Sequence, residues 1–97
     1  MTAVVFHPEA EAELAASARW YDERSPGLGR RFLAEVRAAT ERIAANPEGW
    51  GLVTERIRRH LLQRFPFGIL YRPETERIYV LAVMHLHREP DYWKHRM

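Results

Sequence analysis

The first half of the chain has a helical pattern of apolar and polar residues. Residues 9–24 are mostly Ala, Glu and Leu, and their apolar side chains recur on one face at helical spacing. Between residues 28 and 45 a second apolar stripe recurs at intervals of three and four residues, at Leu28, Phe32, Val36, Ala39 and Ile43. Only the short break RSPG separates the two segments, so the pattern predicts an antiparallel helical hairpin.

The second half of the chain is typical of strands. Residues 54–62, 67–72 and 77–86 are predicted strands, and the short links between them indicate an antiparallel meander of three strands. Residues 3–7 predict a short N-terminal strand, which Pro8 ends at a position that a helix start tolerates. The predicted fold class is therefore α+β, in the order β-α-α-β-β-β with a short C-terminal helix or tail.

The last predicted strand is apolar on both of its alternating faces. Its two sets are Ile78, Val80, Ala82 and Met84 on one side and Tyr79, Leu81 and Val83 on the other. Both sides should therefore be covered. The helical hairpin is expected on one side, and the C-terminal segment, the surroundings of the first strand or another protein on the other. Trp93 is expected to pack in this core, whereas the role of Tyr92 stays open.

Length and composition limit the class of protein. The 97 residues, of which 46% are hydrophobic, suit a single domain spanning residues 1–97. The absence of cysteine excludes disulfides and thiolate metal sites. No apolar run approaches the roughly 18 residues of a membrane span, and the N-terminus turns acidic where a signal peptide would be apolar. We therefore expect a cytoplasmic protein that makes no membrane contact.

The cations are concentrated in the second half of the chain. Residues 50–97 carry nine lysines and arginines against five acidic residues, whereas residues 1–49 carry six arginines against eight. Strict alternation in the strand predicted at 54–62 would place Arg56, Arg58 and His60 on one face. Arg64 and Arg72 lie close by in sequence. Such a face would attract nucleic acid or an acidic protein, although a solvated arginine-rich face is the alternative. The predicted contact residues are Arg56, Arg58, His60, Arg64 and Arg72.

The stretch AVMHLHREPDYWKHRM, residues 82–97, concentrates groups that could carry chemistry. Its histidines at 85 and 87 are spaced for chelation, but a catalytic metal needs a third protein ligand and no metal motif accompanies them. We therefore predict no metal site and no cofactor. Metal-free RNA cleavage needs only a base, an acid and cations around the phosphate. The residues that could supply these groups are His85, His87, Arg88 and Tyr92.

Two segments, RFPFGILY at 64–71 and VLAVMHLHREPDYW at 80–93, resemble the RelE/ParE superfamily of type II toxin–antitoxin toxins, often called plasmid stabilisation proteins. The resemblance covers almost the whole chain. It implies a small α+β fold and a hetero-oligomer in which a cognate antitoxin binds across the toxin. It also implies one of two targets: ParE-like members inhibit growth by acting on DNA gyrase, whereas RelE-like members cut mRNA on the ribosome without a metal.

The ParE-like branch fits the sequence better. Where RelE-like enzymes carry two catalytic arginines, this chain has Gly68 and, near the second position, Leu86. Tyr92 matches a C-terminal catalytic tyrosine of that branch, and His85 or His87 lies where some of its members use a histidine. We therefore expect a gyrase-binding toxin. The alternative is a ribosome-dependent endoribonuclease, in which case alone the four C-terminal residues would be catalytic; a third possibility is a member that only binds antitoxin.

Overall fold

The computed structural model describes residues 2–97 and contains two helices and four strands. They are β1 (Ala3–Phe6), α1 (Pro8–Arg24), α2 (Leu28–Ala45), β2 (Arg58–Leu61), β3 (Phe67–Pro73) and β4 (Arg77–His85), followed by a short 3₁₀ turn at Lys94–Arg96. The strands form one sheet in the order β1-β4-β3-β2, with β1 parallel to β4 and the other pairs antiparallel. The predicted α+β class and order of elements are confirmed.

Two glycines at the turn of the hairpin, Gly27 and Gly29, allow α1 and α2 to approach each other closely. Gly27 has a φ of 89°, a left-handed conformation that glycine adopts without strain. The Asp22 carboxylate accepts hydrogen bonds from the backbone N–H groups of Gly27 and Gly29, at 3.1 and 2.9 Å. A side chain at Gly29 would collide with the carbonyl oxygen of Ala18, so glycine there lets α2 pack directly against α1. No helix within residues 2–97 is long and apolar enough to cross a membrane.

The apolar stripe of α2 packs on one face of the sheet. Phe32, Val36, Ala39 and Ile43 are all buried there. The sheet side of this core is formed by Phe67, Ile69, Tyr71, Ile78, Val80 and Val83. Burying one large apolar side chain contributes roughly 1.5–3 kcal/mol, so this layer supplies most of the driving force that holds helices to sheet.

A β-bulge at Leu81 changes which residues of β4 face the helices. The pairing with β3 leaves Leu81 without an opposite residue, between Val80 and Ala82. Beyond the bulge, Val83 lies on the helix side, whereas Ala82 and Met84 pack on the other side together with Leu81. The predicted alternation was therefore wrong from Ala82 onward, because it assumed an uninterrupted strand.

The first strand of the meander is shorter than predicted. Instead of spanning 54–62, β2 begins only at Arg58, because the backbone N–H groups of Val53 and Thr54 both donate to the Ile57 carbonyl and close a turn. Ile57 itself is fully buried beneath the second face of the sheet. The bounds of β1, β3 and β4 differ from the predicted ones by one residue each.

The C-terminal segment covers the second face of the sheet. Trp93 is fully buried there against Leu70, Leu81 and Met84. Its indole N–H donates to the carbonyl of Pro90 at 2.9 Å, so the polar part of this side chain is satisfied as well. Three possibilities were considered for covering this face, and the C-terminal segment is the one observed. The prediction that Trp93 packs in the core is confirmed.

An ion pair fixes this segment to α1 and to the bare edge of β4. Because β1 ends at Phe6, β4 has no neighbouring strand on that edge from Leu81 onward. Arg96 donates to both carboxylate oxygens of Glu13, at 3.0 and 2.9 Å, and to the Leu81 carbonyl at 3.0 Å. Glu13 also accepts a hydrogen bond from the Val83 N–H at 3.0 Å. Two side chains thus satisfy backbone groups that a longer β1 would have paired.

Replacing Arg96→Ala is expected to lower the free energy of unfolding by about 3 kcal/mol, because it leaves the half-buried Glu13 carboxylate without its cation. Urea unfolding followed by circular dichroism measures the change. The matched control is Lys94→Ala, since Lys94 forms an exposed pair with Asp91 at 3.4 Å and its loss should cost about 0.5 kcal/mol or less. Equal losses in the two variants would contradict the structural role of Arg96.

Candidate functional site

The four C-terminal residues considered for catalysis lie together at the end of β4. The rings of His85 and His87 are 5.1 Å apart between centroids, and the Arg88 guanidinium lies 3.9 Å from the centre of the Tyr92 ring. Within residues 2–97 there is no group of three or more His, Asp or Glu side chains that could hold a metal ion.

The hydroxyl of Tyr92 is not accessible. It is buried and has no hydrogen-bond partner within the described chain. Two guanidinium groups lie over the ring, that of Arg88 and that of Arg96, the latter 5.0 Å from the ring centre. Burial, together with the neighbouring Glu13 carboxylate, raises the pKa of Tyr92. A proton-transfer group needs access to its substrate and a pKa near the working pH, and this tyrosine has neither.

The predicted basic face on the first meander strand does not form. His60 is only 4% exposed, and its ring packs on Trp50 with 4.5 Å between centroids. Arg58 is half-buried and donates to the Trp50 carbonyl at 2.6 Å. Arg56 lies outside β2, so strand alternation does not apply to it. The expectation of one shared face was wrong because a turn replaces the first half of the predicted strand.

The remaining two predicted contact residues have different surroundings. Arg72 is half-buried and forms an ion pair with Glu74 at 2.7 Å. Arg64 is exposed, and its backbone N–H donates to the carboxylate of Glu35 on α2 at 3.1 Å. Target contact by the five basic residues therefore stays a prediction, with Arg56 and Arg64 the two whose side chains are exposed.

His60 is a buried neutral histidine. Its Nδ1–H donates to the Leu61 carbonyl at 2.9 Å, which leaves Nε2 to accept from the Arg42 guanidinium at 3.4 Å. Burial and, to a smaller extent, the positive charge of Arg42 lower the pKa of His60. The imidazole therefore fixes the loop that carries Trp50 instead of offering a charge to a partner.

A cleft of 510 Å³ opens between α1 and the ends of β3 and β4. Trp20 is 49% exposed beside it, and the Arg24 guanidinium stacks on the indole at 3.3 Å. Tryptophan, tyrosine and arginine are the residue types that dominate protein-binding hot spots. The adjacent aromatic residues Trp20 and Tyr21, near the end of the first predicted helix, are the feature of the sequence that could have indicated this cleft. The cleft is lined by Glu13, Ala16, Ser17, Trp20, Tyr21, Pro66, Phe67, Val83, His85 and Arg88.

A second hollow, of 360 Å³, lies beside β2 at the edge of the sheet. Sequence patterns did not reveal it, because it depends on the turn that replaces the start of the predicted strand. We call it the β2-edge patch, defined by Trp50, Leu52, Val53, Arg59 and Leu61.

Comparison with known proteins identifies the family. A family model described as "ParE toxin of type II toxin-antitoxin system, parDE" matches residues 4–90, which include both helices, β2, β3, β4 and all of β1 except Ala3. The chain belongs to this ParE toxin family. The resemblance seen in the sequence is thereby confirmed, including its ParE-like branch.

A solved structure has the same fold as this ParE toxin. It is titled "Chromosomal ParDE TA system from P. aeruginosa" and has 19% sequence identity, with a TM-score of 0.78. The alignment covers 90% of this chain and 98% of the other. No curated protein matches the ParE toxin in a sequence search. The family match stops at residue 90, so Trp93 and Arg96, which close the second face of the sheet, lie beyond the matched region.

The stability of this ParE toxin is expected to fall as the pH drops below about 6.5. His60 is then protonated in the unfolded state, whereas burial lowers its pKa in the folded state. The contribution of His60 to the free energy of unfolding should decrease by up to roughly 1.4 kcal/mol per pH unit until the folded-state pKa of His60 is reached. His60→Gln should flatten this slope between pH 7 and pH 5. An NMR titration in which the pKa of His60 is not lowered from the ordinary value of about 6.5 would refute this account.

Proposed function

We propose that this ParE toxin inhibits bacterial growth in the cytoplasm by binding DNA gyrase, and that a cognate antitoxin neutralises it in a hetero-oligomeric complex. The family match over residues 4–90 supports the toxin assignment. Gyrase is the target that the ParE-like branch implies. The related P. aeruginosa structure is, by its title, a toxin–antitoxin system, which supports an antitoxin partner for this chain as well.

The packing of Tyr92 is the observation that favours binding over mRNA cleavage. Its hydroxyl is buried and its raised pKa opposes proton transfer at neutral pH. Gly68, at one of the positions where RelE-like enzymes carry an arginine, has no side chain to stabilise phosphate charge, and Leu86 near the other position is aliphatic. A surface that binds a target requires none of these groups.

The cleft beside α1 is the surface that best suits the antitoxin. Buried Phe67 and Val83 line it together with exposed Trp20, so a bulky apolar side chain could insert among them. Arg88 and His85 also line it and would favour a carboxylate next to that side chain. An amphipathic antitoxin segment that folds on binding has this chemistry.

Inducing the chain alone should stop growth and relax a reporter plasmid while transcripts stay intact, because a gyrase-binding toxin blocks supercoiling without cutting RNA. Co-expression with the product of the adjacent reading frame should restore growth. Plasmid topology on chloroquine gels and primer extension on abundant mRNAs measure the two effects. Normal supercoiling with transcripts cleaved at ribosome-occupied codons would instead assign the endoribonuclease function.

Replacing Trp20→Ala is expected to weaken antitoxin binding by about 30-fold or more, because loss of a hot-spot tryptophan commonly costs 2 kcal/mol or more. Isothermal titration calorimetry with the purified antitoxin measures the dissociation constant. Leu33→Ala is the matched control: Leu33 is a similarly exposed apolar residue on the helical hairpin, but it does not line the cleft. If both variants bind the antitoxin as wild type does, the cleft is not the antitoxin site.

A further inference from the structure

The β2-edge patch exposes aliphatic side chains where a small protein would ordinarily bury them. Leu52 is 58% exposed, Val53 42% and Leu61 48%, and all three line the same hollow. Single exposed apolar residues are ordinary, but a cluster around a concave surface marks a site of protein contact. Trp50 and Arg59 complete the lining, and both residue types are enriched in interface hot spots.

The loop that carries this patch is held in place by two hydrogen bonds and one ring contact. The Arg58 guanidinium donates to the Trp50 carbonyl at 2.6 Å, and the Arg59 N–H donates to the Gly51 carbonyl at 3.0 Å. The Trp50 ring also packs on buried His60. The two aliphatic residues that follow Gly51 are thus presented on a fixed backbone. A preordered surface of this kind loses little conformational entropy when a partner binds.

Arg59 is the charged residue of the β2-edge patch. Its side chain forms no ion pair and no hydrogen bond within residues 2–97. Its stem lies across Gly68, where an added Cβ would come within 3.1 Å of Arg59 Cγ and Cδ, so glycine leaves the room that the arginine occupies. An exposed guanidinium without an acidic neighbour, set among aliphatic side chains, is complementary to a carboxylate with an apolar flank.

Arg59 and Leu61 of the patch lie on the face of the sheet opposite the cleft. Leu61 stands opposite Gly68 on β3, whereas the neighbouring Phe67 points into the helix-side core and lines the cleft. Successive residues of a strand point to opposite faces, so Leu61 and Arg59 belong to the face away from the helices. An antitoxin segment that fills the cleft would therefore leave the β2-edge patch free.

We infer that the β2-edge patch is the surface with which this toxin engages its target protein. Its occupant is a segment of the target in which a carboxylate that pairs with Arg59 stands next to a bulky apolar side chain that enters the hollow. The inference rests on the proposed function, because it assumes that the chain inhibits growth by binding a protein.

The test compares full-length variants for toxicity and for antitoxin binding. Arg59→Glu and Leu61→Ser should each restore colony formation on induction at least tenfold over wild type. Their dissociation constants for the antitoxin should stay within twofold of the wild-type value in calorimetry. Arg30→Glu is the matched charge reversal, at an exposed position in the first turn of α2 outside the patch, and should remain toxic. Arg59→Gln replaces Arg59→Glu if thermal unfolding shows that the charge reversal prevents folding.

Wild-type toxicity in both patch variants would overturn the inference. Loss of antitoxin binding by folded patch variants would also overturn it, because the patch would then belong to the antitoxin interface. A wild-type chain that leaves growth unaffected is a different outcome. It would remove the proposed function itself, and the inference with it.

Discussion

The coverage of β4 is the constraint on which the rest of this structure depends. The strand lies inside the sheet, its side chains are apolar on both faces, and its edge is bare beyond the end of β1. The helical hairpin covers one face, Trp93 covers the other, and Glu13 with Arg96 occupies the edge. Unpaired backbone groups in a buried setting raise the free energy of the folded state. The strand therefore remains in place only when both of its faces and its edge are covered.

This requirement explains why the C-terminal residues have structural roles. Tyr92 lies close to the guanidinium groups of Arg88 and Arg96, its hydroxyl is buried, and it packs against the core cluster that contains Trp93. A tyrosine fixed in this way cannot approach an RNA phosphate without releasing the second face of the sheet. Recognition of other proteins, which needs only exposed surface, is compatible with the same packing.

Two of the surfaces that remain open once β4 is covered combine apolar side chains with an arginine. The cleft beside α1 combines aromatic residues with Arg88, and the β2-edge patch combines aliphatic residues with Arg59. Both pair apolar surface with a cation, so both suit acidic amphipathic partners. Because Arg59 and Leu61 lie on the face of the sheet opposite the cleft, two partners could engage the two surfaces separately. Neutralisation would then require the antitoxin to reach both faces or to block the target sterically from one.

The order and type of the elements follow from local patterns in the sequence. Helical spacing defined α2 as the structure has it, and the apolar run of β4 together with short links determined the meander and its two covered faces. The sequence also determined the family, since the segments 64–71 and 80–93 carry the resemblance that the family match confirms. These features depend on local periodicity and on residue identity, which a single sequence contains.

Which side chains reach the surface depends on contacts that local patterns do not contain. The bulge at Leu81 reverses the faces of β4, and the turn closed by Ile57 removes Arg56 from the strand and leads to the burial of His60. The partner of Arg96 is Glu13, far away in sequence, and the hollow around Arg59 depends on the loop that Trp50 anchors. Contacts of this kind arise from pairing register and from the meeting of distant segments, and no local pattern encodes either.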